Sequence, residues 1–391
     1  MKKPTILILG TRGIPGNHGG FETFAERLAL YLVNKGWHVI VYCQSKSDSN
    51  KCLYSNWQGI NLIHIPVRNN SALWSILFDL KATINALNYK GIVLTLGYNT
   101  ALFSLLYRLK NQINITNMDG MEWWRKKWNI LEKVWLYCNE RCAVWFSNHL
   151  IADHPQIKYY LRKDVKTTKP ITVIPYSAEV VSKADETLLK KYCLVPRKYA
   201  LIIARPEPEN SILEIVSAFS REQRNFPLVI LGNYCPQKNS YHEKVVASAS
   251  DEVIFIGAIY DREIVQTLRY YTRLYIHGHQ VGGTNPSLVE ALSAGSPVLA
   301  HDNPFNSWVA GEGACYFKDE AQLSQQLTQI LHDEAKLELM KQSSLTRYYE
   351  DFADNQDLKA HESLFLSLLE EDIRDNNYEL SSRLKSYSNR I

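Results

Sequence analysis

The 391-residue sequence lacks several features that would place it in a specialised class of protein. Its seven cysteines are odd in number and form neither a CxxC pair nor a zinc-site spacing, which indicates reduced thiols. No run of about 18 apolar residues occurs, so we expect no transmembrane helix. The N-terminal apolar run is too short for a signal peptide. We therefore expect a cytoplasmic protein, peripheral at most to the inner face of a membrane.

A strong excess of charge is also missing. The formal net charge of +4 is too small to indicate nucleic-acid binding, and we predict no nucleic-acid partner. A mildly basic chain remains compatible with an anionic substrate or an anionic membrane surface. Hydrophobic residues make up 46% of the sequence, and the length is sufficient for two domains with separate cores.

The most informative stretch of the sequence is residues 273–302, where three short segments follow one another. Leu274 begins an apolar run typical of a buried parallel strand. Gly282 and Gly283 then predict a tight turn, and Asn285 predicts a helix cap. Together these elements predict a phosphate site, because unpaired N–H groups and the positive end of the helix dipole point at one spot.

The helix after this turn carries a candidate ligand for a sugar. It is predicted from about Ser287 to Ala294 and is followed by a second apolar strand at Val298. We place Glu290 within about the first turn of the helix, where its carboxylate would accept hydrogen bonds from ribose hydroxyls. A diphosphate and a ribose belong to a nucleotide, so the stretch predicts a nucleotide site.

Residues 290–298, EALSAGSPV, resemble the donor-binding motif of the retaining glycosyltransferases of family 4, which have the GT-B fold. That motif has two glutamates eight positions apart, and Gly282 stands here in place of the first. The resemblance implies an α/β chain with two doubly wound Rossmann-like domains facing across a cleft. It also implies that no metal is needed, so we predict that His277 and His279 form no metal site and that His279 acts as a neutral donor near phosphate or sugar.

The N-terminal residues 10–32, GTRGIPGNHGGFETFAERLALYL, carry a second part of the resemblance. A glycine loop after a first strand is by itself as consistent with a tight turn as with a ligand site. The whole string resembles the signature GTRGIPGxxGGFE of a rhamnosyltransferase-like subgroup, in which the loop lines the cleft. This resemblance implies donor contacts from Gly16, Gly19 and Gly20 and an acceptor contact from His18.

Two further strand ends are predicted to carry acceptor-side residues. Asn99 follows one predicted strand, and residues 119–124, DGMEWW, follow the next and resemble an Asp-Gly-x-Glu-Trp run of the same subgroup. We predict that Asp119 and Glu122 position or deprotonate an acceptor hydroxyl. The alternative is that Asp119 caps the following helix and Glu122 completes a capping box.

The strand that opens the second domain is expected to deliver a cation to the donor diphosphate. In family 4 this strand is followed by an arginine and, five residues later, a lysine; Arg205 matches the first and Asn210 replaces the second, as in the subgroup. We assign Arg205 a catalytic role, and the alternative is that it pairs with Glu207 or Glu209. The complete set of predicted donor-binding residues is Gly16, Gly19, Gly20, Arg205, Asn210, Gly232, Tyr260, His279, Gly282, Gly283, Thr284, Asn285, Ser287 and Glu290.

The region from Trp123 to Arg141 is a candidate contact with a membrane. Five of the nine tryptophans lie between residues 123 and 145. Aromatic residues mixed with cations on a helix suit the headgroup layer of an anionic membrane. The alternative is that the tryptophans pack inward and the cations form a solvated face. The cations in question are Arg125, Lys126, Lys127, Lys133 and Arg141.

We predict three segments: an acceptor-side domain at 1–180, a nucleotide-sugar domain at 181–350, and 351–391, a helix crossing back to the first domain plus a polar tail. The resemblance implies transfer of L-rhamnose from dTDP-rhamnose, with retention, onto a lipid-linked saccharide for capsule, O-antigen or cell-wall polysaccharide. Two other functions stay open. One is an NDP-sugar 2-epimerase of the same fold, and the other is a protein that binds nucleotide sugar without turnover.

Overall fold

The computed structural model describes residues 3–16, 20–46, 51–69, 71–125 and 128–388, with side chains described as far as Arg374. Two compact units form. The first comprises Met1–Asp119, Trp128–Ile174 and Asp357–Ile391, and the second comprises Gly120–Lys127 and Pro175–Gln356. The segment Gly120–Lys127 therefore belongs to a different unit from the residues on either side of it.

The centre of the first unit is an eight-stranded sheet. Its strands are β1 Thr5–Leu9, β2 His38–Lys46, β3 Leu53–Trp57, β4 Ile60–Val67, β5 Ile92–Leu96, β6 Asn114–Asn117, β7 His149–Ala152 and β8 Ile171–Val173. Their order across the sheet is β3-β4-β2-β1-β5-β6-β7-β8. Most are short runs with nearly every side chain buried, as expected of parallel strands covered by helices on both faces.

The edge strand β3 has no counterpart among the predicted strands. It pairs antiparallel with β4, so that Leu53 lies opposite His64. A two-residue turn at Gln58 and Gly59, both with positive φ, joins the two strands as in a tight hairpin. The side chains of β3 are mostly exposed, so the sequence there lacks the apolar pattern that identifies the other strands.

The first unit contains several helices, of which those that begin at Ile130 and Pro155 have a side-chain cap. The helices include α1 Gly20–Asn34, α2 Ala72–Ala86, α3 Ser104–Leu109, α4 Ile130–Phe146 and α5 Pro155–Lys163. At the start of α4, Asn129 accepts a hydrogen bond from the Glu132 amide at 3.0 Å and the Glu132 carboxylate accepts one from the Asn129 amide at 2.9 Å. This capping box fixes the first turn of the helix.

The second unit contains a six-stranded sheet whose pairs are all parallel. Its strands are β9 Ala200–Ile203, β10 Leu228–Leu231, β11 Val253–Gly257, β12 Leu274–His277, β13 Val298–His301 and β14 Cys315–Phe317. Their order is β11-β10-β9-β12-β13-β14. The bounds lie within a residue or two of those predicted from sequence.

Helices cover both faces of this sheet. They include α6 Ile212–Ser220, α7 Ser240–Ala247, α8 Arg262–Tyr270, α9 Pro286–Ser293, α10 Pro304–Ala310, α11 Glu320–Ile330 and α12 Glu334–Asp351. Alternate side chains of β9 point to opposite faces of the sheet. Ile202 packs in a core with Phe219 of α6, whereas Leu201 packs in a core with Leu268 of α8. This alternation produces the doubly wound arrangement.

The strand order reverses once in each sheet, and these reversals locate the ligand sites. In the second unit β9 lies between β10 and β12, and in the first unit β1 lies between β2 and β5. In open α/β sheets ligands bind at the carboxyl ends of the strands on either side of such a reversal. The relevant loops of the second unit are those that follow Ile203 and His277.

The last helix, α13 Gln356–Ser388, belongs to the first unit from Asp357 onward. Tyr31 and the Trp37 indole both donate hydrogen bonds to the Glu362 carboxylate, at 2.9 and 3.2 Å. The polar tail that we predicted after the crossing helix continues α13 as far as Ser388. Among the described residues, no helix is both long and apolar enough to cross a membrane.

Candidate functional site

The candidate site of the second unit forms where the loop after β9 meets the loop after β12. A Cβ added to Gly278 would lie 2.2 Å from the carbonyl oxygen of Asn210, so only glycine permits this approach. The Ser211 hydroxyl donates to the Gly278 carbonyl at 2.8 Å, and the Gln280 amide donates to the Glu209 carbonyl at 2.9 Å. The two loops are therefore joined along their backbones.

Asn210 links Arg205 to His279. Its amide nitrogen donates to the Arg205 carbonyl at 2.8 Å, and its Oδ1 contacts His279 Nδ1 in a short hydrogen bond. Because the first bond fixes the orientation of the amide, Oδ1 must accept and His279 Nδ1 must carry the proton. Asn210 is buried, and both ends of its side-chain amide bond within the protein, so it positions its neighbours; its predicted donor contact stays a prediction.

His279 is held as a neutral imidazole. Burial, together with the nearby cations of Arg125 and Arg205, lowers its pKa to about 4. The carbonyl of His279 accepts hydrogen bonds from the side chains of Asn303 and Asn306, at 2.9 and 2.8 Å. Both asparagines were missed from sequence; the Asn303-Pro304 pair signalled a helix start but not this contact.

The glycine turn packs directly on His279. Gly282 has a φ of +138°, and a Cβ there would lie 3.0 Å from His279 Nε2. On its other side, Gly120 has a φ of +62°, and a Cβ there would lie 3.5 Å from Gly282 Cα. Within the described part of the chain, no protein group accepts a hydrogen bond from the amide N–H of Gly283. The turn therefore has the open donor that an anion site requires.

Helix α9 follows this turn with a standard cap. Asn285 Oδ1 accepts a hydrogen bond from the Ser287 amide at 3.0 Å, and Pro286 occupies the first helical position. Thr284 is buried. The Asn285 side chain thus completes the helix start, which leaves backbone amides as the groups of this segment suited to an anion.

A buried arginine that sequence analysis missed lies beneath α9. The Arg269 guanidinium contacts Glu290 Oε2 at 2.5 Å and donates to the Ser287 hydroxyl at 3.1 Å. The Ser287 hydroxyl also bonds the Tyr275 hydroxyl at 2.7 Å. The Ser287 hydroxyl is therefore engaged with the core of the unit, and the predicted donor contact of Ser287 stays a prediction. Arg269 belongs to no motif, so its position emerges only from the fold.

Glu290 differs from our prediction in its position on the helix. It lies in the second turn of α9, whose first turn contains no acidic residue. Its side chain is 47% exposed and its carboxylate pairs with Arg269. The exposed part is compatible with a hydroxyl ligand.

Arg205 is exposed at the end of β9 and lies in the same loop as Asn210. No ion pair of Arg205 occurs among the residues that the structure describes, so the alternative pairing with Glu207 or Glu209 is not supported. Glu209 instead pairs with Arg125 Nε at 3.0 Å. Arg205 is therefore the cation of this loop that a ligand would meet.

The segment 120–125 is anchored on this loop. Arg125 joins Glu122 and Glu209 and is only 14% exposed in its side chain. Glu122 forms two contacts with Arg125, at 3.0 and 2.9 Å, within a short 3₁₀ turn. This ion pair argues against Glu122 as an acceptor base. The N-cap residue of that turn is Met121 and not Asp119, which argues against the predicted capping box.

The predicted membrane segment also divides between the units. Trp123 and Trp124 belong to the second unit, whereas Trp135 and Trp145 belong to α4 of the first. Lys126 and Lys127 lie outside the described residues. The region from Trp123 to Arg141, predicted as a membrane contact, is therefore not one helix; Trp124, Trp135 and Trp145 are exposed.

Two predicted donor contacts lie at other strand ends of the second unit. Gly232 follows β10, where a Cβ would lie 2.9 Å from the Ala204 carbonyl oxygen. Tyr260 follows β11 and is 74% exposed. The structure thus places Gly232 beside the Arg205 loop.

Of the predicted acceptor-side residues, Asn99 and Asp119 fall in the first unit, whereas Glu122 falls in the second. The Asn99 carbonyl accepts a hydrogen bond from the Trp135 indole at 2.8 Å, and the Asp119 amide donates to Asn117 Oδ1 at 3.3 Å. Asn99 is exposed and Asp119 is partly buried.

The glycine loop after β1 is folded by acidic residues of α1. The Gly16 amide donates to Glu26 Oε2 at 2.6 Å and the Arg12 amide to Glu22 Oε1 at 3.0 Å. The Gly16 amide is therefore used within the protein, contrary to its predicted donor contact. Gly20 is exposed at the start of α1, and His18 and Gly19 lie outside the described residues.

The histidines at the end of β12 do not form a metal cluster. Within the ranges that the structure describes, no group of three or more His, Cys, Asp or Glu residues has an arrangement that could hold a metal ion. His277 is buried, and burial holds its pKa well below the usual value. Its ring stacks on Tyr275, with centroids 6.1 Å apart.

Comparisons with known proteins agree with this division into two halves. Residues 188–347 match the family model described as glycosyl transferases group 1, and residues 3–179 match a domain of unknown function, DUF1972. The comparison with curated proteins returned no match.

Several solved structures share the fold. Sucrose-phosphate synthase from Thermosynechococcus elongatus is 14% identical with a TM-score of 0.80, covering 94% of this chain and 100% of that one. Anabaena HepE in complex with UDP is 12% identical with a TM-score of 0.71, covering 93% and 100%. A Burkholderia xenovorans trehalose-phosphate synthase in complex with glucose-6-phosphate is 11% identical with a TM-score of 0.70, covering 94% and 100%. The fold is GT-B.

The replacement His279→Gln is expected to make folding less sensitive to acid. The folded-state pKa of about 4 lies below the ordinary value of 6.5, so the unfolded chain takes up the proton first and stability falls as pH drops between these values. Glutamine does not titrate. Over that pH range the free energy of unfolding of the variant should therefore fall by on the order of 3 kcal/mol less than that of the wild type. Urea unfolding at a series of pH values measures the difference; equal slopes for the two proteins would contradict the buried, neutral state of His279.

Proposed function

We propose that this chain, whose residues 188–347 form a group 1 glycosyl transferase domain within a GT-B fold, transfers a sugar from a nucleoside diphosphate to an acceptor hydroxyl. The observation that carries the proposal is the anion site of the second unit. There the Gly283 amide, the start of α9 and the exposed Arg205 belong to loops that are hydrogen-bonded to each other through Asn210 and His279.

The charges of this site suit a diphosphate leaving group. Negative charge grows on the diphosphate as its bond to the sugar breaks, and preorganised N–H donors and a cation stabilise that charge. Neutral His279 adds no charge, so Arg205 and the positive end of α9 supply the attraction. In support, one protein of similar fold is described in complex with UDP.

The nucleotide would lie with its ribose near Glu290, whose carboxylate is half exposed while Arg269 holds it in place. Gly232 beside the Arg205 loop and the exposed Tyr260 complete the proposed donor side. The donor we propose is dTDP-rhamnose, and the sequence resemblance is its support.

Transfer would proceed with retention at the anomeric carbon. The acceptor hydroxyl enters on the face that the diphosphate leaves, and its oxygen bonds the anomeric carbon as the bond to the diphosphate breaks. The hydroxyl proton passes to the departing diphosphate, and no protein nucleophile takes part. We propose Asp119 and Asn99 of the first unit as acceptor-side residues and drop Glu122, because its carboxylate is committed to Arg125. The acceptor we propose is a lipid-linked saccharide.

One assay separates this function from its rivals. Purified protein is incubated with labelled nucleotide sugars, with and without membranes that carry lipid-linked saccharides. Release of nucleoside diphosphate only when acceptor is present is the expected result. Epimerised donor without acceptor would instead identify a 2-epimerase, and binding without turnover would identify a non-catalytic protein.

The variant Arg205→Ala should lower kcat/KM by about 100-fold or more, because it removes the cation that stabilises the departing diphosphate. The kcat/KM of Arg205→Lys should lie between those of Arg205→Ala and the wild type, since a lysine keeps a point charge but not the planar guanidinium. Arg262→Ala removes an exposed arginine of the same unit that pairs with Glu179, and serves as the control. A twofold or smaller effect of Arg205→Ala would exclude Arg205 from the site.

The variants Glu290→Gln and Glu290→Ala separate ligand binding from structure. Alanine leaves the buried Arg269 without its carboxylate and should cost about 1–3 kcal/mol of stability, whereas glutamine keeps an acceptor oxygen. If the carboxylate binds ribose, both variants should lose about tenfold in nucleotide affinity. Thermal unfolding and nucleotide titration measure the two effects; wild-type affinity in Glu290→Gln would rule out the ribose contact.

A further inference from the structure

The first unit carries a large apolar surface on α3 and α4, which we call the α3–α4 face. Its large apolar side chains range from 37% exposed at Leu105 to 78% exposed at Leu131. Soluble surfaces rarely hold so many neighbouring apolar side chains without a partner. The face comprises Leu102, Leu105, Leu109, Ile130, Leu131, Val134 and Trp145.

Helical spacing places these side chains together. Leu102, Leu105 and Leu109 recur at intervals of three and four residues, and so lie on one side of the α3 segment. The two helices pack against each other, and the buried Asn139 of α4 accepts a hydrogen bond from the Leu102 amide at 3.0 Å. In α4 the opposite side, including Leu136, is buried against the unit. Both helices therefore turn an apolar side outward.

The charges around the face are almost all positive. Arg108 and Lys110 are exposed beside the leucines of α3. Arg141 lies over the Tyr137 ring at 4.5 Å but pairs with the buried Glu140 carboxylate at 2.5 Å. Residues 101–111 contain no acidic residue. The two carboxylates of α4 both bond within the protein. Glu132 caps the helix, and the buried Glu140 accepts a hydrogen bond from the Tyr160 hydroxyl at 2.9 Å.

The face is continuous with the proposed acceptor side. Trp135 of α4, whose indole donates to the Asn99 carbonyl at 2.8 Å, connects the helix to the loop after β5. A lipid-linked acceptor that reaches Asn99 would have its lipid anchored in a bilayer close to this helix. Tryptophan also favours the interface of a bilayer, where its ring is apolar and its N–H meets polar groups.

We propose that the α3–α4 face docks on an anionic phospholipid bilayer, which brings the acceptor side of the first unit to its lipid-linked substrate. The choice of acceptor rests on the proposed function, whereas the docking itself rests on the face. A second copy of this chain fits the face less well. A symmetric pairing would bring the exposed cations Arg108 and Lys110 of both copies to one interface, where residues 101–111 offer no carboxylate to neutralise them.

The test compares two triple variants of the full chain. The face variant is Leu109→Glu, Leu131→Glu and Trp145→Glu, at side chains 71%, 78% and 63% exposed. The control variant is Leu53→Glu, Leu339→Glu and Tyr349→Glu, at side chains 61%, 65% and 58% exposed. Because all six positions are exposed, both variants should fold, and thermal unfolding checks this.

Co-sedimentation with phosphatidylcholine vesicles, with and without phosphatidylglycerol, measures docking. Wild type and control should bind the phosphatidylglycerol vesicles, more weakly at high salt, and the face variant should lose about tenfold or more in affinity. Equal binding by the face variant, or no binding by the wild type, would overturn the proposal. So would a wild-type dimer in light scattering that the face variant converts to monomers.

Nucleotide binding and turnover separate this proposal from the proposed function. The face variant should keep wild-type affinity for thymidine diphosphate. Vesicle binding without sugar transfer to any acceptor would support the docking proposal and contradict the proposed transferase function. Transfer without vesicle binding would remove the docking face alone.

Discussion

The close approach of two loops at Gly278 and Asn210 is the constraint on which the second unit's site depends. No side chain fits at Gly278, because a Cβ would lie 2.2 Å from the Asn210 carbonyl oxygen. The approach brings the Asn210 amide between the Arg205 carbonyl and His279. His279 in turn limits what can stand at position 282, where a Cβ would lie 3.0 Å from its ring. One steric requirement thus propagates from the sheet to the anion-binding turn.

The electrostatic character of the site follows from the same packing. Burial keeps His279 neutral, and Arg125 is neutralised by Glu122 and Glu209, so Arg205 remains the ligand-facing cation of its loop. A helix start and one exposed arginine can hold a doubly charged group without a metal. The replacement of the expected lysine by Asn210 therefore converts a charge into a rigid link between loops.

Much of the fold could be predicted from sequence, because buried parallel strands are short apolar runs that end at polar residues or glycine. Strands β12 and β13 begin at Leu274 and Val298, as predicted. The exposed hairpin strand β3 escaped prediction because its side chains carry no apolar pattern. Within the site, the glycine turn and the cap of α9 could be predicted from local chemistry. The hydrogen bonds and ion pairs of Asn210, Ser287 and Glu122 could not be predicted, because tertiary packing decides which residues lie next to them. Those partners are Arg205, His279, Arg269 and Arg125.

The central claim is that the turn at Gly283, with α9 and Arg205, grips the diphosphate of a nucleotide. Calorimetric titration of the purified chain with thymidine diphosphate, thymidine monophosphate and thymidine tests it most directly. The account predicts affinity that rises steeply from nucleoside to diphosphate, by about tenfold or more for the second phosphate, since each added charge meets N–H donors and a cation. Equal affinity for all three ligands, or none for the diphosphate, would contradict it.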